Sequence, residues 1–228
     1  MINTIDIPES TGSSIPKTLQ PGNVVFKVHS VKLDSPPYDR DAFNFSVSVE
    51  SEEIEGFEGF LIDKNDESLG RFKGQVGNIR LNQYPLKDAV TKSGTEIKRD
   101  LELIKLIKTF CNVVGATEWL ISQNDKHDTF ESLIQQLNAD KPFANKWIRA
   151  CVGGSEYVNK AGYTNYDLYT PKAAGNTVSM ESSSVPESES KLMTFDSEKH
   201  LRKKKVDEVK SFGDSTVTSA QVSNDFVL

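Results

Sequence analysis

The sequence has few residues of the kinds that form cross-links or hold metal ions. It contains two cysteines and three histidines in 228 residues. Cys111 and Cys151 lie far apart among apolar neighbours, which does not match paired metal-ligand spacing and predicts two buried free thiols. His29, His127 and His200 are also too far apart in sequence to form a local ligand set. We therefore expect no metal and no cofactor.

Long apolar runs and catalytic signatures are also missing. No stretch is apolar enough to predict a membrane span. Residues 1–20 have neither a basic start nor an apolar run, so we expect a flexible N-terminal arm and not a secretory signal. The sequence lacks a Walker phosphate loop, a dinucleotide-binding glycine pattern, an HExxH motif and a nucleophile elbow. These absences predict a protein that is not an enzyme and has no membrane partner.

Positive charge is in deficit over the whole chain. There are 27 Lys and Arg residues against 33 Asp and Glu residues, which leaves a formal net charge of -6. This balance excludes a protein that coats nucleic acid through overall positive charge. Any binding of nucleic acid must then come from a local patch.

Composition divides the chain into three parts. The arm at 1–20 precedes a folded body at 21–172, whose length suits a single core. Residues 173–228 contain serine runs such as SMESSSVPESES and no Tyr or Trp. Such a composition cannot bury enough apolar area to offset the entropy of ordering, so we predict a disordered C-terminal tail.

Hydrophobic periodicity predicts the elements of the body. Residues 22–34 are β-branched and apolar, residues 42–50 alternate strictly between apolar and polar, and residues 56–63 suggest a third strand. Apolar side chains then recur at helical spacing over 99–114 and 130–137. Asp128 or Thr129 is placed to cap the second helix.

Strand character returns at the end of the body. Residues 148–157 and 163–169 predict a twisted antiparallel pair. Five or so antiparallel strands, with a helical insertion between the third and the fourth, predict a mainly β fold of the OB-like β-barrel type at 21–172. An α+β sandwich would give a similar order of elements.

The segment 70–87 is cationic and aromatic in an otherwise acidic chain. Cations follow a phosphate backbone and aromatic rings stack unpaired bases, so the segment is a candidate for binding single strands. Alternatively, Phe72, Val76, Ile79 and Leu81 belong to the core of a strand and turn, and the cations are solvated. The candidate residues of this segment are Arg71, Phe72, Lys73, Arg80 and Tyr84.

Four of the six tyrosines lie in residues 155–172. A hairpin closed by 159–162 would place Tyr157 opposite Thr164 and diagonally near Tyr166, and a solvent-exposed tyrosine pair would be a stacking platform. Aromatic residues also stabilise twisted sheets without any ligand. The candidate residues of this region are Arg149, Tyr157, Lys160, Tyr163, Tyr166 and Tyr169.

The segment KPFANKWIRACVGGSEYVNKAGYTNYDLY, at 141–169, is similar to the late hairpin of small phage replication proteins. Together with the element order, it resembles phage-type single-stranded-DNA-binding proteins with an OB-like fold. The resemblance covers 21–172. It implies a binder of single-stranded DNA in replication or recombination, in the cytoplasm of a bacterial host or in the virion. The family's tails are usually acidic, whereas this tail contains RKKK at 202–205.

The tip of the tail suggests a contact with other proteins. Asp225, Phe226, Val227 and Leu228 place an acidic residue beside three apolar residues, a composition that can dock onto replication or virion proteins. A second hypothesis is a virion-associated or scaffolding protein with a small β body and flexible arms. A third is a carbohydrate-binding module, because tyrosine platforms also stack sugar rings.

Overall fold

In a computed structural model of the chain, the described residues are 18–51, 61–63, 66–71, 74–158, 162 and 164–203. The strands are β1 (Gly22–Asp34), β2 (Asn44–Ser51), β3 (Leu61–Asp63), β4 (Asp66–Arg71), β5 (Val76–Arg80), β6 (Ala89–Val90), β7 (Glu96–Ile97), β8 (Trp147–Val158), β9 (Thr164–Tyr169), β10 (Met180–Ser182) and β11 (Leu201–Arg202). The α-helices are α1 (Arg99–Val113), α2 (Thr117–Ser122), α3 (Phe130–Asp140) and α4 (Ser197–His200).

The main sheet is mixed and contains seven of the described strands. Its order is β1-β2-β5-β9-β8-β10, with β11 beside β8 and a further pairing between β1 and β8. The pairings therefore run in a ring from β1 through β2, β5, β9 and β8 back to β1. Around this ring every pair is antiparallel except β5 with β9.

The ring is weakest between β5 and β9. Their parallel pairing covers only Ile79 with Leu168 and Arg80 with Tyr169. The sheet is therefore partly ring-like and is not a barrel. The predicted fold class is confirmed as mainly β with helices, and the predicted β-barrel is not.

The third strand of the ring differs from the sequence prediction. The ring uses β5, which lies inside the cationic segment 70–87. The alternative interpretation of this segment as a strand and turn is confirmed for Ile79 and Leu81, which are buried, and is wrong for Val76, which is exposed. Only the end of the predicted strand at 56–63 is described, as β3, which pairs with β4 apart from the main sheet. The apolar–polar alternation of β5 is hard to recognise in the sequence, because Gly77 faces inward but has no side chain that would mark the position as apolar. A Cβ there would lie 2.8 Å from the Cβ of Leu19, so only glycine allows this approach.

The helical insertion between β5 and β8 agrees with the prediction. Helix α1 buries Leu103, Ile107 and Phe110, and the ring of Phe110 meets that of Phe45 in β2 edge to face at 5.8 Å. Thr129 caps α3 by accepting a hydrogen bond from the backbone N–H of Ser132. Helix α2 was not predicted. No helix in the described ranges has both the length and the apolar character needed to cross a membrane.

The two cysteines are buried and free, as predicted. Burial raises the pKa of the Cys111 thiol to about 11 and that of the Cys151 thiol to about 12. Both groups are therefore protonated at neutral pH, which makes them packing residues and not nucleophiles.

Residues 173–203 contradict the expectation of a tail that is disordered from residue 173. We call residues 179–203 the C-terminal strap. Its strand β10 pairs with β8, and Met180, Glu181 and His200 are buried. The physical reason is on the outer face of β1 and β8, where apolar Val25 and Cys151 are also buried. The average composition of the segment did not reveal these few buried residues, which anchor it to the sheet. Residues 204–228 lie outside the described part.

Specific polar contacts fasten the C-terminal strap to the sheet. The side-chain amide of Asn23 donates to the carbonyl of Met193 at 2.9 Å, and its oxygen accepts from the N–H of Phe195 at 2.6 Å. A buried ion pair joins Arg149 of β8 to Glu181 at 2.8 Å. These contacts join residues distant in sequence, so the strap is an integral layer of the fold.

Candidate functional site

The cationic segment and the tyrosine hairpin meet in the structure. Strands β5 and β9 are paired, with Arg80 opposite Tyr169. Two segments that stood out independently in the sequence therefore adjoin at one end of the sheet. This juxtaposition is the starting point for the site.

Four side chains at this junction form what we call the aromatic–cation site: Arg80, Tyr84, Tyr169 and Arg202. The guanidinium carbon of Arg202 lies 4.6 Å from the ring centroid of Tyr84 and 4.8 Å from that of Tyr169. The guanidinium carbon of Arg80 lies 6.0 Å from the ring of Tyr169. Tyr84 remains 62% exposed despite this contact. The site therefore presents one accessible ring beside two cations.

A hydrogen-bonded frame positions Tyr84. Asn82 is buried in the turn after β5, and its side-chain oxygen accepts from the N–H of Phe45 at 2.9 Å. Its amide group donates to the carbonyl of Tyr84 at 2.9 Å and to the side-chain oxygen of Asn44 at 3.2 Å. The turn is thus tied to β2, and the exposed ring stands on fixed backbone.

Tyr169 does not offer a surface for stacking, contrary to the prediction. Its ring is fully buried against Gly153, where a Cβ would lie 2.8 Å from a ring carbon, and its hydroxyl donates to the carbonyl of His200 at 3.0 Å. Burial is the largest influence and raises the pKa of Tyr169, while Arg202 and Arg80 oppose it. Tyr169 instead packs its ring against the guanidinium of Arg202.

The predicted pairing of Tyr157 with Tyr166 is also wrong. Tyr157 lies opposite Asn165, and Tyr166 lies opposite Glu156, so the two rings are on opposite faces of the hairpin. Tyr166 packs over Gly154, where a Cβ would be 2.9 Å from a ring carbon. For Tyr166, the alternative reading of a ring that stabilises the sheet is the better one. Tyr157 is half-buried on the outer face.

Arg149 does not face solvent either, so a phosphate contact from this residue is not supported. Its guanidinium is buried beneath the C-terminal strap, where it pairs with Glu181 and donates to the carbonyl of Val185 at 2.6 Å. The sequence placed Arg149 near the tyrosines correctly but did not show that the strap covers it.

Several predicted site residues cannot be placed. For Arg71 only the backbone in β4 is described. The remaining candidates lie outside the described residues, so their roles stay predictions: Phe72, Lys73, Lys160, Tyr163, Asp225, Phe226, Val227 and Leu228.

The outer face of β2 and β5 next to the site is polar and mostly neutral. Ser46 lies opposite Arg80, and Ser48 lies opposite Asn78. The acid on this face, Glu50, is held by His29 at 3.0 Å and by Lys27 at 3.4 Å. Burial is the largest single influence and raises the pKa of Glu50, yet the hydrogen bonds with His29 and Lys27 together lower it. Its charge is therefore partly balanced.

Sequence reasoning missed two residues near the site. Tyr38 is 81% exposed in the loop between β1 and β2. This loop adjoins the segment after Tyr84, because Asp39 and Lys87 form a 3.6 Å ion pair. The two prolines before Tyr38 were a usable signal, since they favour an exposed turn. Arg202 was missed because it lay in the predicted tail.

A cleft of about 1200 Å³ elsewhere in the molecule is not part of this site. It lies among α1, α2 and α3 and includes Ile104, Ile121 and Phe130 in its lining. None of the four residues of the aromatic–cation site lines it. Small-molecule sites are usually enclosed, so an open surface around Tyr84 suits an extended ligand better.

Acid is expected to loosen the C-terminal strap through His200. This imidazole is buried, accepts from the N–H of Asp196 at Nδ1 and lies 3.7 Å from the sulfur of Cys151. Burial is the largest influence and lowers the pKa of His200, aided by Lys199 and opposed by Asp196. A lowered folded pKa means that stability is complete above the unfolded pKa of about 6.5 and is lost as pH falls.

Limited proteolysis between pH 7.5 and pH 5 measures this effect. The strap should become easier to cleave in acid, by at most about tenfold per pH unit for one proton. The variant His200→Gln should lose this pH dependence, while His127→Gln should retain it. Equal acid sensitivity in all three proteins would contradict the role of His200.

Comparison with known proteins does not assign this chain to a family. No protein-family model, no curated protein and no solved structure matches it. Within the described ranges, no group of three or more His, Cys, Asp or Glu side chains could hold a metal ion. The geometry of the aromatic–cation site is therefore the basis for proposing a function.

Proposed function

We propose that the protein is a non-enzymatic binder of single-stranded DNA with an OB-type fold, acting in replication or recombination. The observation that carries the proposal is the exposed ring of Tyr84 on an open face beside Arg80 and Arg202. Rings of this kind stack unpaired bases, and neighbouring cations contact the phosphates.

The strand order supports the OB-type assignment. OB folds are five-stranded, partly open barrels. Here five strands pair in a ring, with the helices inserted between the third and the fourth strands of that ring. The short parallel contact between β5 and β9 is consistent with a barrel that is open at this point.

The position of the site supports the same assignment. In OB folds the ligand lies across the second and third strands and the adjacent loops. The equivalent strands here are β2 and β5, whose outer face carries Ser48, Asn78 and Arg80 with side chains at least partly accessible, whereas Ser46 on the same face is buried. Hydroxyl and amide groups can bind a nucleic acid without the repulsion that exposed carboxylates would cause.

The ligand is inferred to be single-stranded because of Tyr84. The face of a base is accessible to a protein ring only when the base is not stacked within a duplex. The chain also carries a net charge of -6, so affinity for the uniform charge of a duplex should be poor. We therefore expect binding through a few local contacts, each made by an aromatic ring or a cation.

Binding of a labelled oligo-dT, followed by fluorescence anisotropy at low salt, tests the proposal. We expect a Kd in the micromolar range or lower, rising with salt concentration. Tyr84→Ala should weaken binding by about 10- to 100-fold, because one stacked base contributes about 1 to 3 kcal/mol. Tyr84→Phe keeps the ring and should bind nearly normally. Lys105→Ala, an exposed cation on α1, serves as the charge control.

Other results would point elsewhere. No binding at low salt, or equal binding by Tyr84→Ala and the unmodified chain, would reject the site. Affinity for oligosaccharides that survives high salt would favour a sugar ligand. A stable higher oligomer that is indifferent to nucleic acid would favour a scaffolding role, and oligo-rU in place of oligo-dT separates RNA from DNA.

A further inference from the structure

We propose that Arg202 and Lys203 of the C-terminal strap form the phosphate-binding edge of the Tyr84 platform. The strap would then be part of the binding surface and not only a structural layer. This inference rests on the proposed function and deepens it: it makes the strap that carries Arg202 part of the binding surface and adds Lys203, and both residues come from a region where composition alone predicts a tail.

The first argument is that Arg202 is held in place. Strand β11 sets Leu201 opposite Gly154 and Arg202 opposite Ser155 in β8. The hydroxyl of Tyr169 fixes the preceding carbonyl, that of His200. The guanidinium then lies against two aromatic rings. A planar guanidinium stacked in this way keeps N–H groups at its edge, which suits bidentate binding of a phosphate.

The second argument concerns charge. Two other cations under or on the strap have carboxylate partners: Arg149 pairs with Glu181, and Lys199 pairs with Asp196 at 2.6 Å. Within the described ranges, Arg202 contacts two rings and forms no ion pair with a carboxylate. Lys203, the next residue, is exposed. The strap therefore brings the positive charge of Arg202 to the ring of Tyr84 in a chain that is acidic overall.

Arg80 and Arg202 both lie at one end of the site. Arg80 extends from β5 and Arg202 from the strap, and both lie against the ring of Tyr169. Two cations from different segments thus occupy one end of the site, next to the exposed ring of Tyr84. A strand stacked on Tyr84 would place its neighbouring phosphates within reach of this pair.

A consequence is that binding and strap docking should stabilise each other. Arg202 reaches Tyr84 only when the strap is seated on the sheet. A ligand bound to Arg202 must therefore favour the seated strap, and a loosened strap must weaken the ligand by the same factor. Asn23→Ala, which removes two strap contacts, should lower affinity although it removes no cation.

The test uses the full chain and compares two double variants. Arg202→Ala with Lys203→Ala should weaken oligo-dT binding by about tenfold at low salt. The slope of log K against log salt should become shallower by about 1.4, since each released contact to a single strand contributes about 0.7. The matched control, Lys191→Ala with Lys199→Ala, removes two cations from the same strap and should leave the slope unchanged.

The outcomes separate the two proposals. If the unmodified chain binds oligo-dT and both double variants bind with its affinity and slope, the strap contribution is rejected and the proposed function stands. Equal losses in both double variants would also reject it, because charge alone would then explain the effect. If the unmodified chain does not bind oligo-dT, both proposals are rejected.

One further variant guards against a loss of structure. Arg202→Ala removes two ring contacts and can loosen the strap, which limited proteolysis would report. Lys203→Ala alone changes an exposed side chain, and it should still reduce the salt slope by about 0.7. An unchanged slope for Lys203→Ala would remove Lys203 from the proposal, and Arg202→Lys then tests whether the planar group is required.

Discussion

A chain that ends at residue 172 is expected to be much less stable than one that ends at residue 203. Removal of the C-terminal strap eliminates the buried side chain of Met180 and exposes the ring of Tyr169 and the thiol of Cys151. Burial of one large apolar side chain contributes about 1.5 to 3 kcal/mol. We expect a loss of roughly 3 kcal/mol or more from these groups together.

Urea unfolding of the two truncated chains and the full chain measures this loss. The chain ending at 203 should unfold at nearly the same urea concentration as the full chain. The shorter chain should unfold at a much lower concentration, or should fail to accumulate in folded form. Equal midpoints for the chains ending at 172 and 203 would show that the strap is dispensable, and the view of it as a fold layer would be wrong.

Glu181→Ala is expected to have the second large effect. Glu181 and Arg149 are both more than nine-tenths buried and pair at 2.8 Å. Removing one member of a buried pair takes this counter-ion away from the remaining charge in a poorly solvated place, which typically costs about 3 to 5 kcal/mol. We expect a loss of about 3 kcal/mol in the free energy of unfolding, because Arg149 retains other contacts, among them the carbonyl of Val185.

Two further variants serve as controls for Glu181→Ala. Lys199→Ala breaks an ion pair with an exposed lysine and should have a much smaller effect on stability, because solvent screens an exposed pair. The double variant Arg149→Met with Glu181→Leu removes both charges and should recover much of the loss. Thermal unfolding of all three proteins checks the order. If Glu181→Ala and Lys199→Ala have equal effects, the buried pair does not stabilise the docked strap.

The elements with an unbroken period were predictable from sequence. Strand β2 alternates Phe45, Val47 and Val49 with polar residues, and α1 repeats its apolar residues at helical spacing. Strand β5 was predicted only as an alternative, because Gly77 interrupts the alternation with a position that has no side chain. The glycine is there because Leu19 packs against its backbone, a contact between residues far apart in sequence that no local pattern contains.

The site was predictable in part, for a related reason. The sequence identified Arg80 and Tyr84 as candidates because one is cationic and the other aromatic. The structure places both at the surface near the junction of β5 and β9. The sequence also singled out Arg149 and Tyr169, which the strap buries. Side-chain type indicates what a residue can bind, whereas exposure depends on which distant segment covers it. Arg202 illustrates the reverse case, because docking of the strap brings it to Tyr84.

By itself, the sequence determined the mainly β character, the helical insertion, the buried free thiols and the two segments where cations and aromatic residues concentrate. These follow from local periodicity and composition, which act over a few residues. Only the tertiary structure decided which of the described tyrosines remain exposed, that Arg149 is buried and that residues 179–203 belong to the fold. These depend on pairings such as Asn23 with Met193 and Arg149 with Glu181, whose free energy appears only when distant parts of the chain meet.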